Sequence, residues 1–153
     1  TALCLETVDQ LAPEGWRVVD YGCGSGILAV AALKLGAGMA LGVDNDPQAL
    51  VATRDNAERN GVDETALSVA LPGDYNAAEW HGSANLVLAN ILASPLLALS
   101  DTLLDLLASG GVLVLSGLLV SQADDVIAHY APALALRLES QHDGWACLVG
   151  RKN

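Results

Sequence analysis

Positive charge is what this sequence lacks most: lysine and arginine number 7 against 18 aspartates and glutamates, a formal charge of -11. Runs of basic residues are absent, so the chain would repel a phosphate backbone, and direct binding of nucleic acid is not expected. An acidic surface suits a basic polypeptide or a small molecule, and it serves simple solubility equally well. Long apolar runs are missing too. The segments Gly26 to Leu33 and Gly111 to Leu115 are too short to span a bilayer, and no membrane association is expected. The first residues are too mixed for the charged, apolar and small-residue zones of a secretory signal. Cysteine is sparse and odd in number. Cys4, Cys23 and Cys147 lie far apart, which fits reduced thiols in a cytoplasm better than a disulfide framework. They show no metal-ligand spacing, among themselves or with His81, His129 and His142. No linker or repeat divides the 153 residues, which read as one domain, 1–153.

What is present is the material of a core. Hydrophobic residues make up 52% of the chain and charged residues 16%, far from the composition that keeps a chain disordered. Strand-like apolar runs alternate with helix-like segments, the signature of βαβ units and a parallel sheet. Strands are expected over Trp16 to Tyr21, Met39 to Val43, Ala66 to Leu71, Asn85 to Asn90 and Gly111 to Leu115. The fourth should be central, because Leu86, Val87 and Leu88 leave no polar face. Helices are expected over Ala2 to Leu11, Ile27 to Leu35, from Asp46 as cap to Asn60, over Pro95 to Leu107 and over Val120 to Tyr130. Ala133 to Glu139 and Trp145 to Val149 flank a turn-prone Ser140 to Gly144, which makes a hairpin and adds one antiparallel strand. The expectation is a doubly wound, α/β, seven-stranded and mostly parallel sheet with helices on both faces, binding its ligand beyond the carboxyl ends of strands one, two and four.

Three segments carry chemistry. Asp20-Tyr21-Gly22-Cys23-Gly24-Ser25-Gly26 leaves a buried strand and enters a helix, where missing side chains let a ligand approach the backbone. A dinucleotide fingerprint would place its third glycine three positions after the second, but Ile27 stands there and the glycines alternate at 22, 24 and 26. Asp44 ends the second strand, where an acidic side chain can accept hydrogen bonds from both hydroxyls of a ribose; the competing reading, a helix cap, is served better by Asp46 before Pro47. Asn90 ends the central strand at its carboxyl edge. A strand-end residue bonding nearby backbone remains open for it. Asp74, after the third strand, could reach an adenine amino group, yet loop aspartates are commonly solvated and it stays outside the main set.

The alternating glycines preceded by an acidic residue resemble motif I of the class I S-adenosylmethionine-dependent methyltransferases, whose sheet ends in such a hairpin. Asn90 would then stand beside the transferred methyl group. No Pro-Pro-Tyr follows it to form a flat surface for a planar nitrogen; Ile91-Leu92 suits an aliphatic amine better. A closer likeness joins Thr1 to Leu5, Asp20 to Ala37, Asp46 to Ala49, Asp55 to Gly61, Asn90 to Ala93, Gly117 to Gln122 and the terminal Gly150 to Asn153. Together these resemble the methyltransferase of large-subunit ribosomal protein eleven, the PrmA family, along essentially the whole chain. The resemblance implies a cytoplasmic enzyme that uses S-adenosylmethionine to methylate lysine side-chain and amino-terminal nitrogens of that ribosomal protein. It implies Thr1, Gly22, Asp44 and Asn90 at the cofactor, to which the loop adds Asp20, Gly24 and Gly26, with Asn90 as the catalytic candidate. It also implies a separate amino-terminal domain, absent from this sequence, that recruits the substrate. Two other readings stay open: a class I methyltransferase of another protein or small-molecule amine, and a non-catalytic S-adenosylmethionine-binding module that would need nothing like Asn90.

Overall fold

The computed structural model describes residues Thr1–Asn153. Helix α1 (Ala2–Leu11) is followed by β1 (Arg17–Tyr21), α2 (Ile27–Lys34), β2 (Met39–Val43), α3 (Pro47–Arg59) and β3 (Leu67–Ala70). The chain continues through α4 (Ala77–Trp80), β4 (Ala84–Asn90), α5 (Ala93–Ala98), α6 (Ser100–Leu106) and β5 (Leu107–Leu119). A 3-10 turn (Val120–Gln122), α7 (Ala123–Tyr130), β6 (Leu136–His142) and β7 (Trp145–Arg151) complete it. The strands form one sheet in the order β3-β2-β1-β4-β5-β7-β6. All pairings are parallel except those of β7, which runs against both β5 and β6. No helix is long and apolar enough to cross a membrane.

Period-two alternation along the inner strands builds two cores, one on each face. Val19, Val43, Val87, Ala89 and Leu115 join the cluster under α5, α6 and α7, whereas Val18, Ala40, Leu86, Leu88 and Val114 join the one under α1 and α2. Strand β4 is therefore covered on both sides, with Leu86, Val87, Leu88 and Ala89 fully buried. The chain runs outward from β1 to β2 and β3, then returns to β4 on the other side of β1. This reversal opens a crevice at the carboxyl ends of β1 and β4, the place where such sheets bind ligands.

Three expected elements differ from those observed. In place of one helix over Pro95 to Leu107, two helices, Ala93–Ala98 and Ser100–Leu106, meet at Leu99. Tyr130, fully buried, donates its hydroxyl to the Leu96 carbonyl at 2.6 Å, and a side-chain donor at a helix carbonyl breaks the ladder locally. The turn of the last hairpin is Asp143-Gly144 alone, with φ of 51° and 81°. Such a turn matches strand twist, so Ser140, Gln141 and His142 pair with β7, and β6 begins at Leu136 rather than Ala133. Strand β5 is longer than Gly111 to Leu115: register shifts near Leu107 and Gly117 let it continue to a pairing of Leu119 with Trp145. The loop after β3 also holds the short α4, capped by Asn76 accepting from the Glu79 N–H.

Replacing Tyr130 by Phe leaves the Leu96 carbonyl buried without its donor. Urea unfolding should show a loss of about 1 to 2 kcal/mol; an unchanged midpoint would mean that the hydroxyl does not hold the junction of α5 and α6.

Candidate functional site

The crevice is built from four strand ends. Strand β1 delivers the loop Gly22 to Gly26, whose first two amides, Gly22 and Cys23, donate to the Val43 carbonyl at 2.6 and 3.0 Å. The loop thus starts as an extension of the β1–β2 pairing. Gly22, Gly24 and Gly26 all have positive φ, 80°, 54° and 79°. Their reasons differ. A Cβ on Gly22 would meet Ile91 Cγ2 at 2.5 Å and one on Gly26 would meet Thr53, whereas one on Gly24 would meet nothing within 4 Å. Gly24 has open space where a side chain would stand; the other two allow close packing.

Asp44, half-buried at the end of β2, uses both carboxylate oxygens. Oδ2 accepts from the Gly24 N–H at 2.9 Å and Oδ1 from the Asp46 N–H at 3.0 Å. An ionised carboxylate offers about four lone-pair directions, so each oxygen keeps room for a further donor. Asp46 caps α3 by accepting from the Gln48 N–H at 2.9 Å, as its place before Pro47 suggests.

Asn90 closes β4 beside Ser116 of β5. Its Nδ2 donates to Thr1 Oγ1 at 2.8 Å, bridging residues 89 positions apart. Two site candidates far apart in the sequence meet there. They border a cleft of about 380 Å³ walled by Leu92, Gly117 and Trp145, with Leu92 66% and Trp145 47% exposed. On the other side of Ile91 a cleft of about 330 Å³ runs past Gly22, Asp44, Asn45 and Pro72. Pro72, not Asp74, borders it; Asp74 is exposed in the turn beyond. Ile91 and Leu92, expected beside Asn90, line the site, whereas Trp145 is not among the expected site residues. Strand β7 brings Trp145 to the site through the longer β5, a pairing that no local pattern announces.

Asp20 lies beneath the loop rather than in the crevice. It is 1% exposed and Oδ2 accepts from the Ala29 N–H at 3.2 Å, so the carboxyl group serves the first turn of α2. Burial pushes its pKa up to about 7, against the lowering effect of that N–H, with the charge of Asp44 adding to the rise. Cys23, tucked under the loop, is pushed up to about 11, mainly by burial. Its thiol is protonated at neutral pH and is no nucleophile.

A carboxyl group whose folded-state pKa lies above its ordinary value favours folding while protonated. That contribution is fully present below about pH 4 and is lost as pH rises through about 7. Asp20→Asn, which cannot ionise, should therefore gain stability relative to the parent between about pH 4 and 7, with the difference level above about pH 8. Denaturant unfolding across this range reads the difference; a constant offset would mean that Asp20 titrates normally.

A family model described as "Ribosomal protein L11 methyltransferase (PrmA)" matches residues 1–153. The ribosomal protein L11 methyltransferase of Escherichia coli (strain SMS-3-5 / SECEC) is 51% identical over 153 residues, 100% of this chain and 51% of that protein. Its counterpart in Klebsiella pneumoniae (strain 342) is 50% identical with the same coverage. The chain spans about half the length of the curated relatives it matches. The crystal structure of ribosomal protein L11 methylase from Lactobacillus delbrueckii subsp. bulgaricus aligns with a TM-score of 0.83 at 31% identity, covering 100% of this chain and 79% of that one. An RNA methyltransferase from Salinibacter ruber, solved in complex with S-adenosyl-L-homocysteine, aligns at 0.72 with 16% identity, covering 99% and 92%. That likeness concerns the fold alone, which is the Rossmann-like class I methyltransferase fold. With every residue inside the family match and half of them identical in relatives that carry the same description, the chain belongs to the ribosomal protein L11 methyltransferase (PrmA) family.

Proposed function

We propose that this chain is the methyl-transferring domain of a ribosomal protein L11 methyltransferase, acting on lysine side-chain and amino-terminal nitrogens with S-adenosylmethionine as donor. One observation carries the reading beyond fold and family: the Thr1–Asn90 bond stands at the mouth of the crevice, between the glycine loop and a cleft with an apolar wall. A module that merely held the cofactor would need Asp44 and the loop but no amide at that edge. The remaining length of the relatives is where we put recruitment of the ribosomal protein, and a soluble cytoplasmic setting follows from that substrate.

The residues fit the cofactor. Gly24 leaves open space where a side chain would stand, and Asp44 keeps acceptor capacity for two ribose hydroxyls. Gly22 and Gly26 shape the cradle, and Asp20 acts through α2 as a positioning residue rather than as a contact. When bound, S-adenosylmethionine supplies an activated methyl group on a positive sulfonium. The protein has to align an amine with that methyl and exclude water.

Asn90 is suited to the alignment. With Nδ2 committed to Thr1, Oδ1 is the atom presented to an incoming amine and can accept one of its N–H groups, turning the nitrogen lone pair inward. Leu92 and Trp145 offer apolar surface to the aliphatic stem of a lysine. The ammonium form, with an ordinary pKa of about 10.4, must lose a proton first, and desolvation against this wall favours the neutral amine.

Asp44→Ala should weaken S-adenosylmethionine binding by about 1 to 3 kcal/mol in titration calorimetry. Unchanged affinity with an intact fold would remove Asp44 from the ribose site. In a full-length enzyme carrying this sequence, Asn90→Ala should lower turnover on ribosomal protein L11 more than it weakens cofactor affinity. Mass spectrometry of the methylated protein measures the first and calorimetry the second; normal turnover would reduce Asn90 to a strand end.

A further inference from the structure

The glycine loop is also held by hydrogen bonds from the helix α3 that lies beside it. Thr53 of α3 is fully buried, and Asn56 lies one turn further along the same face. The Thr53 hydroxyl donates to the Gly24 carbonyl at 3.1 Å and lies 3.4 Å from Cys23 Sγ. Asn56 Nδ2 donates to the Ser25 carbonyl at 2.7 Å. The Thr53 side chain also fills the space beside Gly26, where an added Cβ would meet its Cγ2, Oγ1 and Cβ at 2.5, 2.7 and 2.8 Å.

Two consecutive carbonyls are thus drawn toward α3. In a planar trans peptide the N–H points opposite to the C=O, and no peptide in this chain is cis. Holding the Gly24 carbonyl on α3 therefore turns the Ser25 N–H away from it. The Gly26 N–H closes on the Cys23 carbonyl at 2.7 Å, but the Ser25 N–H meets no protein acceptor. A buried hydroxyl at position 53 is costly unless bonded, and its partner is the loop itself.

We propose that Thr53 and Asn56 are positioning residues for the cofactor: by anchoring the Gly24 and Ser25 carbonyls on α3, they aim the free Ser25 N–H outward as a donor for the carboxylate end of S-adenosylmethionine. The proposal rests on the cofactor reading above. Thr53 is shut off from the crevice, so its influence on binding passes through the loop alone. A ligand-ready amide then costs no rearrangement when the carboxylate arrives.

The test uses this chain and three variants. Thr53→Val keeps the methyl group beside Gly26 and loses the hydroxyl; Thr53→Ser does the reverse; Asn56→Ala removes the second anchor from a half-buried position. Calorimetry with S-adenosylmethionine should show Kd raised roughly three- to tenfold in Thr53→Val and Asn56→Ala, and within roughly twofold of the parent in Thr53→Ser, even where the lost methyl lowers stability. In the cofactor-free protein, the Ser25 amide resonance should shift or broaden in the first two and stay in place in Thr53→Ser. Parental affinity together with an unmoved Ser25 amide in the two anchor-free variants would overturn the proposal. So would a Thr53→Ser variant as weak as Thr53→Val, which would make packing the cause. Should Thr53→Val not fold, Asn56→Ala decides by the same two readouts. Failure of the parent to bind S-adenosylmethionine overturns the cofactor reading instead, while the Ser25 amide of the cofactor-free protein still decides whether the anchors aim it.

Discussion

The Asp44 carboxylate holds two backbone amides at once, and the rest of the site depends on that double hold. One oxygen reaches back to Gly24, the other forward to Asp46, so a single side chain joins the glycine loop, the end of β2 and the start of α3. Helix α3 then returns to the loop through Thr53 and Asn56, closing a ring of hydrogen bonds around Gly24 and Ser25. The two bonds to the Asp44 carboxylate are of the stronger, charge-assisted kind, the Thr53 and Asn56 bonds are neutral, and the ring they form together resists deformation better than its members would separately. Asp20 anchors the same loop from below through α2. The loop is thereby braced by the two helices that flank it.

A second constraint is the double-sided burial of β4. Its alternating side chains feed two separate cores, so a register slip by one residue would move Leu86 and Val87 to the wrong faces. Asn90, at the end of this strand, inherits its position from packing on both sides. A side chain at the end of such a strand is placed more closely than one on a loop, as the role proposed for Asn90 requires.

Elements whose signals are local were legible in the sequence. Asp46-Pro47 marks the start of α3, the uninterrupted apolar run marks β4 as central, and the alternating glycines mark the turn after β1. Elements set by distant partners were not. The break at Leu99 depends on a tyrosine hydroxyl bonded to Leu96 from 34 positions away, and the length of β5 depends on its pairing with β7. The site divides likewise. Gly24, Asp44 and Asn90 stand at strand ends where their residue types alone suggest a use, whereas Asp20 reads as a ligand contact until its burial and its bond to Ala29 are seen. Thr53 was invisible as a site residue because a threonine inside an amphipathic helix looks like any other core position. Trp145 was expected at the start of the last strand, but its place beside Asn90 follows from the pairing with Leu119 of the longer β5.

The bond between Thr1 and Asn90 has a consequence for how the domain matures on the ribosome. Helix α1, which carries Thr1, packs against β5, β6 and β7, and Thr7 lies 3.5 Å from Cys147. Helix α1 also packs on α2, but the sheet side of the bed for this early-made helix is made late. Vectorial synthesis delivers α1 long before the last hairpin exists, and long-range contacts of this kind form slowly because the intervening chain must first be closed. Until the carboxyl-terminal strands enter the sheet, α1 can pack only against α2, and the seat that brings the Thr1 hydroxyl to the Asn90 amide is incomplete. The bonds that close the glycine loop come from β1, β2 and α3 alone, whereas the cleft beside Thr1, Asn90 and Trp145 is complete only when the carboxyl-terminal hairpin has docked.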